Sequence, residues 1–374
     1  MRVLVAPDKF AGTLSAAQAA SAIADGWARQ APADVLTCLP VADGGPGFSG
    51  VLADALGGQV ETVTVRGPLG TPVPVDLVAT ESAGGGVTVH LESAQACGHD
   101  LEPRAEPMRA STSGVGQALV AALALRPRRI VVGLGGSVTS DGGAGLLAAL
   151  GATADVDLTE GPEGLDGVTR VDLTAVRAQL AGVDLVAAID VRAPLLGMFG
   201  AARTFGPQKG LDDEQIWRVD RVLDGFVDAV CGTAPSQRRI AEIEGAGAAG
   251  GLGFALAVLG AELVPGTQVV LDAIGIDAHI AAADLVVTGE GAYDISSRSG
   301  KAVFGVAEAA ARHARPCIVL AGRVDVGARE MRAMGVESAY AVVDLAGEAA
   351  ALADPATHLA ALAERVARTW SPSA

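Results

Sequence analysis

Short apolar runs alternate along the chain with longer segments in which apolar residues recur at helical spacing. The runs predict buried strands, and the spaced segments predict amphipathic helices. The predicted strands are 2–6, 35–40, 129–133, 185–190, 285–288, 317–321 and 338–343, and the predicted helices are 14–27, 48–56, 112–125, 144–150, 212–230, 251–259, 303–312 and 355–369. Alternation of this kind predicts an α/β fold with a largely parallel sheet.

One region interrupts the alternation. Residues 60–66, 73–79 and 86–91 have the pattern of strands joined by Gly/Pro turns. Because such a β-rich stretch does not fit a single doubly wound sheet, the sequence predicts a second domain inserted into the first.

Composition and charge exclude several classes of protein. Half of the 374 residues are hydrophobic and 19% are charged, which excludes a disordered chain. A net charge of −16 excludes nucleic acid and anionic membranes as partners. The start of the chain is broken too early by Pro and Asp for a signal peptide, and no apolar run is long enough for a transmembrane helix. Four widely spaced cysteines without a CxxC pair indicate reduced thiols in the cytoplasm.

The basic residues are divided very unevenly. Of 27 basic residues only three are lysines, Lys9, Lys209 and Lys301, and each has a glycine close by in the sequence. A coding bias that favours arginine would explain the imbalance. The lysines that remain are then informative, because a site that needs a compact ammonium group cannot use arginine.

Acidic residues collect where strands are predicted to end. Asp8, Asp43, Asp190 and Glu290 follow predicted strands, and Asp141 and Asp294 lie in neighbouring loops. Ligands of open α/β sheets bind outside the carboxyl ends of the strands. A single aspartate there is usually a cap or turn residue. Glycine loops that cradle phosphate, acids that hold Mg²⁺ and nearby lysines are together the parts of a phosphoryl-transfer site.

The standard nucleotide-binding motifs are either absent from the sequence or weakly supported by it. No GxxxxGK[ST] motif occurs, so a P-loop enzyme is excluded. Residues 245–250 match GxGxxG, which keeps an NAD-dependent hydroxy-acid dehydrogenase as an alternative, although the preceding residues are charged and weakly strand-like. A two-lobed binding protein without catalytic acids is another alternative. Ser137, in a glycine loop, is expected to bind a phosphate or hydroxyl group rather than act as a nucleophile.

Eight short motifs stand out along the chain: APDKF at 6–10, PVADGG at 40–45, GLGGSVTSDGGAG at 133–145, DVRAPLLG at 190–197, FGPQKG at 205–210, AGGLG at 249–253, TGEG at 288–291 and GK at 300–301. In their content and in their order, from residue 3 to about 345, they resemble one family, the type I glycerate kinases of the bacterial glycerate 2-kinase type.

The resemblance implies a fold and an activity. The fold would be a flavodoxin-like parallel-sheet domain made of residues 1–58 and 283–374, with a second α/β domain, residues 59–282, inserted. The activity would be ATP- and Mg²⁺-dependent phosphorylation of D-glycerate, usually at the 2-hydroxyl, giving 2-phosphoglycerate. A kinase for a related small hydroxy acid is the alternative, and a homodimer is left open.

These arguments give a list of candidate residues. We expect the active site to lie in the cleft between the two domains, where Asp8, Asp43, Asp190, Glu290 and Asp294 meet. The predicted catalytic residues are Asp190, Lys301 and Asp8, the predicted metal ligands are Glu290 and Asp294, and the predicted substrate- or phosphate-binding residues are Lys9, Asp43, Gly44, Gly135, Gly136, Ser137, Asp141, Lys209, Gly289 and Ser297. Asp190 is expected to be the general base, unless it only caps the turn at Pro194. Lys301 is expected to bind a phosphate, with Glu290 as the alternative partner.

Six positions depart from the family's motifs, one of which is Ser140, where the family has asparagine. The chain has Ala11 where the family has lysine, and Pro46 and Phe48 where the family has an acid and a hydroxyl. It has Ala292 and Ser296 where the family has arginine and glutamine. Because the lost basic groups would face an anionic substrate, they bear on substrate choice. Lys9 is expected to replace the lysine missing at position 11.

Overall fold

The computed structural model describes residues 1–81, 85–101, 106–295 and 301–371. The strands are β1 (Arg2–Val5), β2 (Val35–Cys38), β3 (Gln59–Arg66), β4 (Pro72–Glu81), β5 (Val87–Glu92), β6 (Arg129–Leu134), β7 (Thr153–Ala154), β8 (Val171–Asp172), β9 (Asp184–Ile189), β10 (Glu262–Pro265), β11 (Leu285–Thr288), β12 (Ala292–Tyr293), β13 (Cys317–Ala321), β14 (Arg323–Val324) and β15 (Ser338–Ala341).

The helices vary widely in length. They are α1 (Ala16–Gln30), α2 (Phe48–Leu56), α3 (Ala94–Cys97), α4 (Ser113–Ala124), α5 (Ala144–Ala149), α6 (Gly161–Gly164), α7 (Thr174–Gln179), α8 (Ala201–Phe205), α9 (Asp213–Cys231), α10 (Pro235–Arg238), α11 (Leu252–Val258), α12 (Gly266–Ala273), α13 (Ile276–Ala282), α14 (Ala302–Arg312), α15 (Ala328–Ala333), α16 (Val342–Ala346), α17 (Glu348–Ala353) and α18 (Pro355–Trp370). Among the helices that the structure describes, we find none with the length and apolar character needed to span a membrane.

The first unit contains both ends of the chain, Met1–Asp43 and Thr267–Ala374. Its sheet has five parallel strands in the order β2-β1-β11-β13-β15. Numbered along this unit, the order is 2-1-3-4-5, which is the flavodoxin-like doubly wound arrangement. On one face α1 packs against α18 over a core that includes Ile23, Trp27 and Leu359. The capping box of Ser15 and Gln18 starts α1.

The second unit, Gly44–Gly266, lies between the two segments of the first in the sequence. Its six-stranded sheet has the order β10-β9-β6-β5-β4-β3. The strands β3, β4 and β5 pair antiparallel, whereas β5, β6, β9 and β10 pair parallel. The antiparallel part is the β-rich stretch that the sequence set apart. The predicted α/β class, with a parallel sheet built from both chain ends and a second α/β unit inserted, is confirmed.

The boundaries between the units differ from the expected positions. The chain divides after Asp43 and after Gly266, rather than after residues 58 and 282. Helix α2 packs on β4 and β5 with Phe48 and Leu52 fully buried, so it belongs to the second unit. Helices α12 and α13 precede β11 and belong to the first, since α13 contacts β1 and α14. Apolar periodicity indicates that a segment is helical, but it carries no information about which sheet the helix covers.

Candidate active site

Three carboxylates meet at the carboxyl ends of the central strands in the first unit. The strand order reverses between β1 and β11, and this switch point is where open α/β sheets bind ligands. Asp8 follows β1 and Glu290 follows β11, and the Asp8 backbone N–H donates to the Gly289 carbonyl oxygen at 2.8 Å. Asp43 follows β2. The parallel pairing therefore brings together residues that are far apart in the sequence.

Two lysines accompany these carboxylates. Lys9 Nζ lies 3.0 Å from Asp43 Oδ1 and 3.8 Å from Asp8 Oδ1. Lys301, the residue that precedes helix α14, has its Nζ 3.9 Å from Glu290 Oε2. Asp8 and Glu290 are buried, with 5% and 6% of their surfaces exposed. The structure thus brings together Asp8, Lys9, Asp43, Glu290 and Lys301 of the predicted list.

The cluster opens into a cavity of about 390 Å³ within the first unit. The charged residues line it together with Ala11, Ala292 and Arg323, and Val342, Val343 and Leu352 contribute apolar lining. A volume of this size is typical of a small-molecule site with a few converging polar groups. Asp294, one of the two predicted metal ligands, is not among the described residues that line it.

Burial dominates the protonation of Asp8. It raises the pKa of Asp8 to about 7, and the charge of Asp43 acts in the same direction. The ammonium of Lys9 and the hydrogen bond from the Lys9 backbone N–H, 2.7 Å from Asp8 Oδ1, oppose the shift without cancelling it. Asp8 therefore changes its charge near neutral pH, as groups at functional sites often do.

One further predicted residue, Gly289, belongs to this region. A Cβ atom at Gly289 would lie 2.1 Å from the Leu320 carbonyl oxygen, so glycine is required there for the packing of β11 on β13. Ser297 lies outside the described residues.

In the second unit, glycines allow three backbone segments to approach one another at the ends of β6 and β9. A Cβ at Gly44 would lie 2.9 Å from the Ala188 carbonyl oxygen, and one at Gly133 would lie 2.7 Å from the Gly44 carbonyl oxygen. At Gly135 it would meet Gly45 at 2.7 Å and Asp190 Oδ2 at 2.8 Å. The Asp-Gly-Gly motif is therefore packed directly on the glycine loop.

Asp190 follows β9 and is partly buried. Its carboxylate lies over Gly135, so a side chain at position 135 would collide with it. Gly136 has a positive φ of 65°, and a Cβ there would contact the Pro46 ring at 2.9 Å. The start of the glycine loop is thus shaped around Asp190 and the segment that follows Asp43.

Asp141 holds the second half of the glycine loop together. It is fully buried, and its oxygens accept hydrogen bonds from Thr112 N and Oγ1 and from the backbone N–H groups of Gly143 and Gly145, at 2.8–3.2 Å. Burial raises the pKa of Asp141, although these hydrogen bonds act in the opposite direction. We therefore assign Asp141 to positioning the loop, instead of the substrate contact expected from the sequence.

Lys209 is also an internal residue. Its side chain is buried, and Nζ donates to the Thr139 carbonyl oxygen at 2.5 Å and to Ser137 Oγ at 3.3 Å. Burial lowers the pKa of Lys209 to about 8, while Cys97, Asp141 and Asp190 favour its charged form. This arrangement supports a role in fixing the loop rather than the phosphate contact expected for Lys209. It also engages Ser137, which is itself 3% exposed.

The GxGxxG match at residues 245–250 is not a dinucleotide site. The residues before it, Arg239–Ala241, form a 3₁₀ helix instead of the strand that such a site requires. Its glycines are packed on protein: a Cβ at Gly247 would lie 2.3 Å from the Pro194 carbonyl oxygen, and one at Gly250 would lie 1.8 Å from that of Thr139. This finding removes the observation on which the dehydrogenase alternative rested.

The carboxylates of the first unit fit a Mg²⁺ ion that is bound together with a nucleotide. Within the described residues no three His, Cys, Asp or Glu side chains are arranged to enclose a metal ion. Mg²⁺ bound with a nucleotide needs only one or two carboxylates, since water and phosphate oxygens complete its shell. Asp8, Asp43 and Glu290 supply such oxygen donors inside the cavity.

Known proteins similar to this chain agree on one family. A sequence profile described as the glycerate kinase family matches residues 3–371. A Bacillus subtilis protein named glycerate kinase is 36% identical over 380 aligned positions, which cover 100% of this chain and 97% of the relative. An Escherichia coli protein named glycerate 2-kinase is 34% identical, with 93% of this chain and 92% of the relative covered.

A solved structure is similar over almost the whole chain. It belongs to a Salmonella typhimurium LT2 protein assigned as glycerate kinase 2, with a TM-score of 0.80, 33% identity, and coverage of 99% of this chain and 98% of that one. The chain belongs to the glycerate kinase family. It is therefore a kinase, and the resemblance of its motifs to this family is confirmed.

The family's altered motif positions fall into different parts of the structure. Ala11 and Ala292 line the cavity of the first unit. Pro46 contacts Gly136 in the second unit, and Phe48 is fully buried there. Ser296 lies outside the described residues. Only the first pair therefore changes the described wall of the cavity.

Two charged residues near these sites were not predicted from the sequence. Glu92, at the end of β5, accepts hydrogen bonds from the backbone N–H groups of Gly47 and Ser49 at 3.0 and 3.3 Å and so caps α2. An acid at the end of a predicted strand was the available signal. Arg323 lines the cavity from β14, a two-residue strand with no apolar pattern that could reveal it.

The raised pKa of Asp8 gives a pH-dependent stability. An unfolded aspartate titrates near about 4. Between pH values of about 4 and about 7, Asp8 keeps a proton in the folded protein that it has lost in the unfolded chain. The free energy of unfolding therefore falls as the pH rises through this window, and it stays lower at higher pH. Asp8→Asn stays neutral at every pH. In metal-free buffer at pH 8 we expect its melting temperature to exceed that of the wild type by at least about 3 °C, with no difference at pH 4.

Asp284→Asn is the matched control with the opposite sign. Hydrogen bonding to the exposed Arg2 side chain lowers the pKa of Asp284 to about 2, so its removal should destabilise the protein at pH 8 and matter less as the pH falls. A lower melting temperature for Asp8→Asn at pH 8 would show that the contact with Lys9 outweighs the cost of burial.

Proposed function

We propose that this kinase transfers the γ-phosphoryl group of ATP to the 2-hydroxyl of D-glycerate in a Mg²⁺-dependent reaction that gives ADP and 2-phosphoglycerate. The observation that carries the proposal is the match to the glycerate kinase family over residues 3–371. The 2-position is supported by the relative named glycerate 2-kinase. Reduced thiols at all four cysteines support a cytoplasmic setting.

The reaction sets three requirements. A bond forms between the glycerate oxygen and the γ-phosphorus, and the bond from that phosphorus to the bridging oxygen of ADP breaks. The hydroxyl proton must pass to a base, and the charge on the transferring group must be stabilised. Since little covalent chemistry is left to the protein, catalysis depends on positioning and electrostatics.

Asp190 is the proposed general base. It lies at the carboxyl end of β9, where catalytic residues of α/β proteins are found, and it is only partly buried, so its carboxylate is accessible to a substrate hydroxyl. The glycine at 135 allows the backbone to pack closely against it. Asp8 is the second candidate, because a group with a pKa of about 7 exchanges its proton near neutral pH.

Lys301 and Lys9 are the proposed phosphate contacts. Lys301 lies at the N-terminus of α14, where backbone N–H groups and the helix dipole also favour an anion. The dipole repels the ammonium itself, so a partner of negative charge is needed there, and Glu290 at 3.9 Å supplies only a long contact. A phosphate would give Lys301 a second partner.

Glu290 and Asp43 would hold Mg²⁺ in this site, because both line the cavity with Lys301 and Lys9. Asp294, the other predicted metal ligand, is not among the described residues that line the cavity, and its role stays a prediction. When bound, the metal would neutralise part of the phosphate charge, which a protein of net charge −16 otherwise repels.

The proposal is tested by the product. Purified protein incubated with ATP, MgCl₂ and D-glycerate should form ADP and 2-phosphoglycerate in equal amounts, identified by ³¹P and ¹H NMR, and chelation of the metal should stop the reaction. A 3-phosphoglycerate product would contradict the regiochemistry. Turnover of other hydroxy acids but not of D-glycerate would contradict the substrate and leave the family assignment intact.

Replacement of the general base should slow the chemical step. Asp190→Asn is expected to lower kcat by roughly 10²–10⁴ and to leave ATP binding unchanged, because the amide keeps the shape of the side chain but cannot accept the proton. Asp184→Asn, at the other end of the same strand and paired with Arg129 on the surface, is the control. Near-normal turnover in Asp190→Asn, together with a large loss in Asp8→Asn, would transfer the role to Asp8.

Removal of the ammonium at position 301 separates a phosphate contact from a structural ion pair. Lys301→Met should raise the KM for ATP or lower kcat at least tenfold, while the melting temperature without ligand holds or rises, because a cation is removed from a helix N-terminus. Arg312→Met, at the other end of α14, should leave the kinetics unchanged. Unchanged kinetics with a lower melting temperature in Lys301→Met would show that Glu290 is its functional partner.

A further inference from the structure

Arg323 lines the cavity and belongs to a strand that pairs with the altered family motif. Strands β12 and β14 are parallel, with Ala292 opposite Arg323 and Tyr293 opposite Val324. The Arg323 backbone N–H donates to the Gly291 carbonyl oxygen at 3.0 Å, and the N–H of Gly322 donates to that of Glu290 at 3.1 Å. The residue is therefore held directly beside the carboxylate cluster.

The register has a consequence for side chains. Aligned residues of neighbouring parallel strands lie about 4.8 Å apart and point to the same face of the pair. An arginine side chain is longer than this separation, so guanidinium groups attached at 292 and at 323 can reach the same volume. The chain has alanine at 292, where the motif it resembles has arginine, and Arg323 is the one arginine among the described lining residues.

The charge of the cavity makes this cation important. Asp8, Asp43, Glu290 and Glu348 line it, against Lys9, Lys301 and Arg323. Both lysines contact carboxylates that line the same cavity. The ion-pair partner of Arg323 is Asp325, at 2.6 Å from Nε, and Asp325 is not among the described lining residues.

We propose that Arg323 binds the carboxylate of the hydroxy-acid substrate and supplies, from the neighbouring strand, the guanidinium that position 292 lacks. This inference rests on the proposed function. The planar guanidinium matches a carboxylate with two parallel N–H···O bonds, a geometry that a lysine ammonium cannot reproduce. Arg323 thereby sets the selectivity for an acid over the corresponding neutral polyol.

Steady-state kinetics of Arg323→Ala test the contact. The KM for D-glycerate should rise about ten- to hundredfold, the loss expected for a charge-assisted pair, while the KM for ATP stays within about twofold. Arg323→Lys should recover little of the loss. Arg329→Ala, an exposed arginine on α15 outside the described cavity wall, is the matched control and should behave as the wild type.

The double variant Arg323→Ala/Ala292→Arg tests the equivalence of the two positions. It should recover at least tenfold of the lost affinity for D-glycerate, because the new side chain reaches the same volume. Failure to recover would overturn the equivalence. A rise in the KM for ATP instead of that for glycerate would overturn the carboxylate assignment and show a phosphate contact.

The remaining outcomes separate this inference from the proposed function. If wild-type protein phosphorylates D-glycerate and Arg323→Ala has an unchanged KM, the inference fails and the function stands. Equal losses of thermal stability in Arg323→Ala and Asp325→Ala, without kinetic change, would show that Arg323 serves only its ion pair. If the wild type does not phosphorylate D-glycerate, the proposed function fails, and calorimetric titration with D-glycerate then tests Arg323 independently of turnover.

Discussion

Parallel strands place all of their carboxyl ends at one edge of a sheet, and the chemistry of this protein depends on that constraint. In the first unit it joins Asp8 from the start of the chain with Glu290 from β11, because the Asp8 N–H continues the pairing of β1 with β11 up to Gly289. Backbone hydrogen bonds from the N–H groups of Gly322 and Arg323 to the carbonyl oxygens of Glu290 and Gly291 add a cation, Arg323, to that edge. The charged lining of the cavity is thus positioned by backbone hydrogen bonds, and the register of the strands determines which side chains it contains.

Collecting charges at one edge opposes stability. Burial raises the pKa of Asp8 and lowers that of Lys209, so each is held in an environment that disfavours its charged form. Where a buried carboxylate serves structure, the protein satisfies it with backbone donors, as around Asp141 and Glu92. Among the described residues, Asp8 receives one such donor, and the charged groups of Asp43, Lys9 and Glu290 act on it. The contrast separates residues that hold loops from residues poised to meet a ligand.

The sequence predicted the position of most long elements and of the acids at strand ends, because apolar periodicity and strand termini are local properties. It could not distinguish a glycine that exposes its N–H group to a ligand from one that permits close packing, because both positions appear in the sequence simply as glycine. Gly289 and Gly44 were expected to bind substrate, and the structure shows backbone atoms against them. Lys209 was likewise chosen for its rarity and its neighbouring glycines, although burial beside Thr139 was not visible in the sequence. Arg323 was missed because its importance arises from pairing with a strand 31 positions earlier in the chain.

The positions that depart from the family's motifs differ in what they contact. At 46 and 48 the chain loses an acid and a hydroxyl, yet the start of α2 keeps its polar partner, because Glu92 accepts from Gly47 and Ser49. Phe48 fills the space over Gly133 and packs edge-on against His90, so this change is one of core packing within the second unit. Positions 11 and 292 differ in kind, since both line the charged cavity and both lose a cation. Lys9 and Arg323 line the same cavity, so cations remain in it although positions 11 and 292 carry none.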